Sequence, residues 1–392
     1  MINFIFPDYD YNFSKYNLNY NTFTKENPHD PWTLEWLLYQ SNITFTKSIT
    51  PKTDNDYVLF NLAGPRDYRD FQNVPDKIWD YINQHDNVNL ILYHGIEATS
   101  RSLYQKPWNN LEIILQEKNI LPNKVFYITG DIIAPLKYKQ SNSDYFSKIN
   151  VLGLDVFEMM HMHRHFRASG FNFLESIEQY CSQKKEKKFL NLNNIMRPHR
   201  RALLFYLKKN NLLDEGFVSS LEWRSNGMDN VCKNTFNFHY NFDDSDYEDF
   251  LKINDTIITL DSLGNQASDK ELYINSYYSL VTETQTSKDL LFITEKTYKP
   301  ILMGHPFMIL GCPNSLSYLK NNGYYTFPEL FDESYDSCLM EKDRLKIIID
   351  NLKRDVVITD AIYEKLKHNQ RLFLKQPTLY TNKHSLMQFL VK

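Results

Sequence analysis

The chain has 392 residues, 42% of them hydrophobic and 15% aromatic, and a formal net charge of −4. Such a length predicts roughly two to three domains. The aromatic content excludes a disordered chain, and the slightly acidic balance excludes a cationic field over the whole surface, leaving room only for a local basic patch.

The N-terminal Met1–Pro7 run is too short and too soon interrupted to be a signal peptide. No apolar run approaches the roughly 18 residues of a membrane span, and the expectation is a soluble, cytoplasmic protein. Strands are expected at Ile2–Phe6, Tyr57–Leu62, Asn89–Tyr93, Val125–Thr129 and Val151–Phe157, with helical patterns at Trp32–Gln40, Pro75–Gln84 and Trp108–Lys118. Strand and helix in alternation imply βαβ units and a parallel sheet, in which ligands bind beyond the carboxyl ends of the strands. The charged run Ser182–Lys188 reads as a surface linker. The alternation then restarts with strands at Phe189–Leu192, Thr256–Leu260, Tyr278–Glu283 and Phe307–Gly311, and helices at Pro198–Lys209, Glu295–Met303 and Ser315–Asn321. From Cys338 onward the pattern is mostly helical. The four cysteines are widely spaced and form no C-x-x-C pair, so neither a disulfide framework nor a zinc site is expected. The fold class is therefore α/β, with Rossmann-like βαβ domains at residues 1–181 and 189–375, a linker at 182–188 and a C-terminal helix at 376–392.

The densest chemical signal runs from Tyr277 to Pro300. Its first part is a strand ending at Glu283; its second is an apolar approach to a helix. Thr294 is a good N-cap, and Glu295 suits the first helical position. Lys296 opposes the helix dipole, and a local violation of this kind is expected at a functional site. A helix N-terminus with a lysine is a receptor for a diphosphate. Glu283 and Glu295 could accept the paired hydroxyls of a ribose. The segment from Asn193 to Arg201 has the same oddity. Pro198 fits the first position of a helix, so Arg197, Arg200 and Arg201 crowd its positive end, where a bound anion would relieve their repulsion. Without a ligand, the two segments read as a solvated helix start and a basic turn.

Two other signals are weaker. His161, His163 and His165 alternate as on one strand face, but no further ligand is obviously placed to complete a zinc set. Asp243-Asp244-Ser245-Asp246 contains an Asp-x-Asp pattern, yet sits in a solvated acidic helix start. No metal site is expected.

The ordered set of elements resembles the donor-binding segment of the α1,3-fucosyltransferase and exostosin-like GT-B glycosyltransferases. Glu283 matches the first acid, and Phe292-Ile293-Thr294-Glu295-Lys296 the second element. Gly304-His305-Pro306-Phe307 matches the turn into the next strand, and Lys188–Asn194 with Arg197 or Arg201 the early arginine segment. Thr284 stands where that group usually has Asn. The string Thr294–Pro300 followed by Phe331–Asp336 is also similar to uncharacterised glycosyltransferase-like proteins of phages and large viruses. The resemblance covers roughly residues 187–336 and implies a GT-B fold, its two domains facing across a cleft. It further implies an inverting, metal-independent transfer of a sugar from a nucleoside-diphosphate sugar to a hydroxyl, with no cofactor beyond that donor. Arg197, Arg201, Glu283, Thr294, Glu295 and Lys296 would bind the donor. The acceptor would be a glycan or a modified nucleobase, the second if the protein is a viral DNA-base-modifying enzyme of the host cytoplasm. A catalytically silent GT-B-like protein that binds a glycan or a partner is the reading from another class.

One carboxylate or histidine suffices as the base for an in-line displacement. Glu97, just past the Asn89–Tyr93 strand, is the first candidate and His94 the second; Asp131 and Asp67 also follow strand ends.

Overall fold

A computed structural model describes residues 2–5, 34–48, 56–61, 71, 74–95, 105–158, 174–193, 197–219, 270–375 and 377–391. The expected strand Thr256–Leu260 lies outside them. The chain forms two compact units. The first comprises Met1–Met160, Asp289–Phe292 and Pro377–Lys392; the second comprises His161–Lys288 and Ile293–Gln376.

In the first unit the chain runs β1 (Ile2–Ile5), α1 (Leu34–Gln40), β2 (Phe45–Ser48), β3 (Asp56–Asn61), α2 (Asp76–Gln84), β4 (Val88–His94), α3 (Gln105–Glu117), β5 (Val125–Thr129), α4 (Ala134–Lys139) and β6 (Asn150–Gly153). The strands make one parallel sheet in the order β2-β1-β3-β4-β5-β6. Its central strands are buried along their length, which is why they read as unbroken apolar runs rather than alternating ones. Helix α2 contributes Ile78, Trp79 and Ile82 to the core, and Trp79 meets Phe60 and Phe71 at ring separations of 6.1 and 6.3 Å. Burying one such side chain stabilises by about 2–3 kcal/mol. The strand expected at Val151–Phe157 is shorter because the Asp155 carboxylate takes the Phe157 N–H and turns the chain.

The C-terminal helix Pro377–Leu390 belongs to this first unit. Asn382 donates to the Asp155 carbonyl at 2.6 Å, Tyr57 donates its hydroxyl to the Leu390 carbonyl at 2.8 Å, and Phe389 packs edge-on against Phe126.

The second unit contains α5 (Leu174–Ser182), β7 (Lys187–Leu192), α6 (Pro198–Lys209), β8 (Gly216–Ser219), α7 (Lys270–Ile274), β9 (Ser276–Thr282), α8 (Glu295–Met303), β10 (Phe307–Leu310), α9 (Ser315–Asn321), α10 (Glu341–Leu352) and α11 (Asp360–Leu374). Its parallel strands lie in the order β10-β9-β7-β8. The chain moves outward from β7 to β8, then returns to the far side of β7 for β9 and β10. The order therefore reverses between β7 and β9, the place where open α/β sheets bind ligands. Residues 182–188 lie within this unit. Lys185 donates to the Ile274 carbonyl at 2.7 Å, and the N–H groups of Glu186 and Lys187 donate to Asn275, so the charged run leads straight into β7. Among the described residues, no helix is long and apolar enough to cross a membrane.

Candidate functional site

The carboxyl edge of the second sheet is tied together where its strand order reverses. Asn191 donates to the Leu280 carbonyl at 2.6 Å, and Asn193 donates to the Asn191 side chain at 2.6 Å. Thr282 donates its hydroxyl to Asn193 Oδ1 at 2.5 Å, and the Asn193 N–H reaches Ser219 Oγ at 3.0 Å. All five groups are buried. A buried polar network with its partners in place is rigid, and it fixes the ends of β7, β8 and β9 relative to one another.

Glu283, the first residue after β9, is fully buried and joins two helix starts. Its carboxylate accepts four hydrogen bonds. Oε1 takes the Thr294 N–H at 3.0 Å and the Thr297 hydroxyl at 2.6 Å; Oε2 takes the Thr294 hydroxyl at 2.5 Å and the Thr284 N–H at 3.2 Å. Its backbone carbonyl faces the other helix, accepting from His199 Nε2 at 2.9 Å and Arg200 Nη2 at 3.1 Å. Arg200 Nη2 also reaches the Thr282 carbonyl at 3.0 Å. A carboxylate has about four acceptor positions. The ribose contact expected of Glu283 thus finds its lone pairs committed to the chain itself, and the residue's work in this arrangement is to hold the start of α8 in place.

Thr294 is the N-cap of α8, with extended backbone (φ −120°, ψ 179°) and a hydroxyl 3.4 Å from the Lys296 N–H. The helix closes at Gly304, whose φ of +65° lies in the left-handed region; an added Cβ there would sit 2.1 Å from Ile177 Cγ1. Lys296 and Glu295 are both half-buried. The Lys296 ammonium lies 2.6 Å from Glu295 Oε1 and 3.2 Å from Thr284 Oγ1. Burial works against ionisation of Glu295, but the charges of Lys296 and Lys299, with hydrogen bonds from Lys296 and the residue's own N–H, hold its carboxyl at about 2. Glu295 is therefore a carboxylate at every physiological pH.

The three arginines of α6 have separate fates. Arg197 is the half-buried N-cap residue, and its carbonyl receives the N–H groups of Arg200 and Arg201 at 3.0 and 3.1 Å. Among the described residues its guanidinium has no hydrogen-bond or ion-pair partner. Arg200 is buried and braces β9; burial first, and the charge of Arg197 second, lower it to about 10. Arg201 is also buried. Arg200 and His199 are the contributors that sequence reasoning passed over as donors to Glu283. No sequence signal marked them, because two adjacent helical residues meet one carbonyl only through the packing of α6 against the end of β9.

In the first unit, His94 ends β4 fully buried, and burial lowers its imidazole to about 3, so it is neutral near pH 7. Asp131 follows the neighbouring strand β5, and the Gly130 N–H between them donates to the His94 carbonyl at 3.2 Å. Burial raises the Asp131 carboxyl to about 6 against the opposing effect of Lys137 and of the Leu291 and Ile133 N–H groups, which donate to Oδ1 at 3.1 and 3.2 Å. Glu97 and Asp67 lie outside the described residues, as do His161, His163, His165 and the Asp243–Asp246 run. Among the described residues no cluster of three His, Cys, Asp or Glu side chains could hold a metal ion.

No protein family matches the sequence, and no curated protein does. Among solved structures the chain is similar to the T4 phage β-glucosyltransferase, in a structure described as substrate binding and proposed catalytic mechanism. The TM-score is 0.39 at 10% identity, with 93% of this chain and 96% of that chain covered. A mutant of that enzyme in complex with UDP-glucose gives a TM-score of 0.37 at 11% identity, covering 91% and 92% of the two chains. By its own topology the chain consists of two Rossmann-like parallel-sheet units with flanking helices and a C-terminal helix, the GT-B-like architecture.

Proposed function

We propose that the protein is a glycosyltransferase that binds a nucleoside-diphosphate sugar at the β7/β9 edge of the second unit and transfers the sugar to a hydroxyl. One observation carries this reading: Glu283 binds the starts of α6 and α8 together, through its carbonyl and its carboxylate, where the strand order reverses. Two helix N-termini at one edge, with Arg197 on the first and Lys296 on the second, suit a diphosphate. Stabilising the departing diphosphate is the main electrostatic demand of such a transfer. Arg197 and Lys296 take that role, with Arg201 beside them on α6. Glu295 is the remaining carboxylate for the ribose hydroxyls, while Glu283 and Thr294 position the helix.

The base is assigned to the carboxyl edge of the first sheet, with Glu97 ahead of His94. His94 is neutral at working pH, as a base must be, but it is buried. Asp131, raised to about 6, is a third candidate. A hydroxylated nucleobase of viral DNA is the first acceptor to test and a glycan the second. UDP-glucose is the first donor. Purified protein is expected to gain thermal stability with one member of a panel of nucleotide sugars, and to release the nucleoside diphosphate when the right acceptor is added. Stabilisation without turnover on any acceptor, unaltered by Glu97→Gln, would favour the catalytically silent reading. No stabilisation by any nucleotide sugar or nucleoside diphosphate would remove the proposal.

A further inference from the structure

The second unit carries a separate hollow of about 550 Å³ lined by Tyr325, Glu364, Lys365, His368, Arg371 and Lys375, together with Leu372. Except for Tyr325 these residues come from α11 and its C-cap residue Lys375, and spacings of three and four place them on one face. Its charges are not balanced. Glu364 is paired with Lys367 at 2.9 Å, and Lys365 with Glu329 at 2.5 Å. Arg371 and Lys375 are exposed, and among the described residues neither side chain has a hydrogen-bond or ion-pair partner. Two uncompensated cations thus line a concave surface on a chain whose overall charge is negative. The last turn of a helix welcomes cations, which accounts for Arg371 and Lys375 but not for the aromatic residue beside them.

Tyr325 is 48% exposed, yet its backbone is fixed. Asn369, buried on the inner face of α11, accepts the Tyr325 N–H at 2.7 Å and donates to the Tyr325 carbonyl at 2.8 Å. The Tyr325 ring lies 4.5 Å from the His368 ring, and His368 is itself tied to the Gly323 carbonyl at 2.9 Å. The Lys365 ammonium is 5.7 Å from the tyrosine centroid. An exposed aromatic ring clamped at its backbone costs little entropy to use as a platform, and the cations lie on the same helix face. That combination of stacking surface and cationic rim is how proteins hold single-stranded nucleic acid.

We infer that the α11 hollow is a nucleotide-binding site distinct from the β7/β9 edge, taking a base on Tyr325 and His368 and its phosphate on Arg371 and Lys375. The shared chemistry could come from a free nucleotide or from one nucleotide of a strand. The inference does not depend on the glycosyltransferase reading. The test is fluorescence anisotropy of a labelled oligothymidylate with the full-length protein at low salt, with AMP, inorganic phosphate and longer unlabelled oligothymidylates as competitors.

Arg371→Glu with Lys375→Glu is expected to weaken oligonucleotide binding at least roughly tenfold and to lower the slope of log affinity against log salt by about 1.4, for two phosphates lost from a single strand. Tyr325→Leu, which keeps bulk but not the ring, is expected to weaken it roughly five- to fiftyfold with little change in slope. Lys77→Glu with Lys139→Glu, on the first unit, controls for net charge and is expected to have little effect. Competition by AMP at concentrations comparable to the oligonucleotide identifies a free nucleotide as the ligand; competition only by longer strands identifies a strand. Equal binding by wild type and the Arg371/Lys375 double variant, equal weakening by the Lys77/Lys139 control, or no wild-type binding at low salt overturns the inference. Unchanged melting curves for the variants show that the fold is intact.

Discussion

The two sheets end in different chemistry at their carboxyl edges. At the second, hydrogen bonds converge on Glu283: four donors meet its carboxylate, and one imidazole and one guanidinium donor meet its carbonyl. At the first, the described groups are titratable side chains held away from their ordinary ionisation, His94 lowered to about 3 and Asp131 raised to about 6. The first pattern gives a rigid receptor, because each donor has one place to be. The second keeps His94 uncharged near neutrality and brings the ionisation of Asp131 close to it, a state suited to moving protons.

The comparison is broken most directly at Glu283. Glu283→Ala leaves three buried donors and one half-buried donor without an acceptor and is expected to cost roughly 5 kcal/mol, at 1–3 kcal/mol for each orphaned group less what relaxation recovers. Urea unfolding followed by circular dichroism checks this. A loss below about 1 kcal/mol would show that the network is loose.

Acid should weaken both units next. His305 in the second unit is buried between Ser279 Oγ at 2.7 Å and the Ser276 carbonyl at 2.9 Å, and burial lowers it to about 3. An unfolded histidine takes its proton near pH 6.5, so the stability that His94 and His305 contribute is complete above that pH and is lost as pH falls toward 3. The loss for each is on the order of 4 kcal/mol. In His305→Gln the decline between pH 6.5 and 4 should be shallower, although the variant is weaker at pH 7.5. An unchanged slope would assign the acid sensitivity elsewhere.

Asp131 works in the opposite direction. Its folded value of about 6 lies above the unfolded value near 4, so its favourable contribution exists at low pH and disappears as pH rises through 6. Asp131→Asn is therefore expected to stabilise the protein at pH 7.5 by about 2 kcal/mol and to be neutral at pH 4. Equal effects at the two pH values would contradict this.

The smallest effect is expected at Thr294. Its hydroxyl caps α8 and also donates to Glu283, and Thr294→Ala should cost about 1–2 kcal/mol, with Thr294→Ser recovering most of it.

Much of the architecture was legible because capping residues announce themselves. Pro198 begins α6, Thr294 begins α8, and Gly304 ends it, at the expected positions. The short strands β2 and β8 were missed. Phe45-Thr46-Lys47-Ser48 and Gly216-Phe217-Val218-Ser219 are four residues each, too short and mixed to show a period. For the site, the residue types and their place at strand ends could be read, but the partners of Glu283 could not. They depend on how the chain from Thr284 to Ile293 returns to β9, a tertiary fact. The same holds for the arginines: helix phase says that Arg200 and Arg201 point differently, but only the neighbouring strand decides which of them is the brace.

The central claim is that the β7/β9 edge holds a diphosphate through Arg197 and Lys296. Isothermal titration of the full-length protein with UDP, GDP, ADP and CDP tests it, comparing wild type with the Arg197→Ala/Lys296→Ala double variant. The expected result is saturable binding of one nucleoside diphosphate, weakened at least roughly a hundredfold in the double variant by the loss of two charge-assisted contacts, while circular dichroism shows both proteins folded at the titration temperature. Equal affinity in the two proteins, or no binding of any nucleoside diphosphate to the wild type, would contradict it.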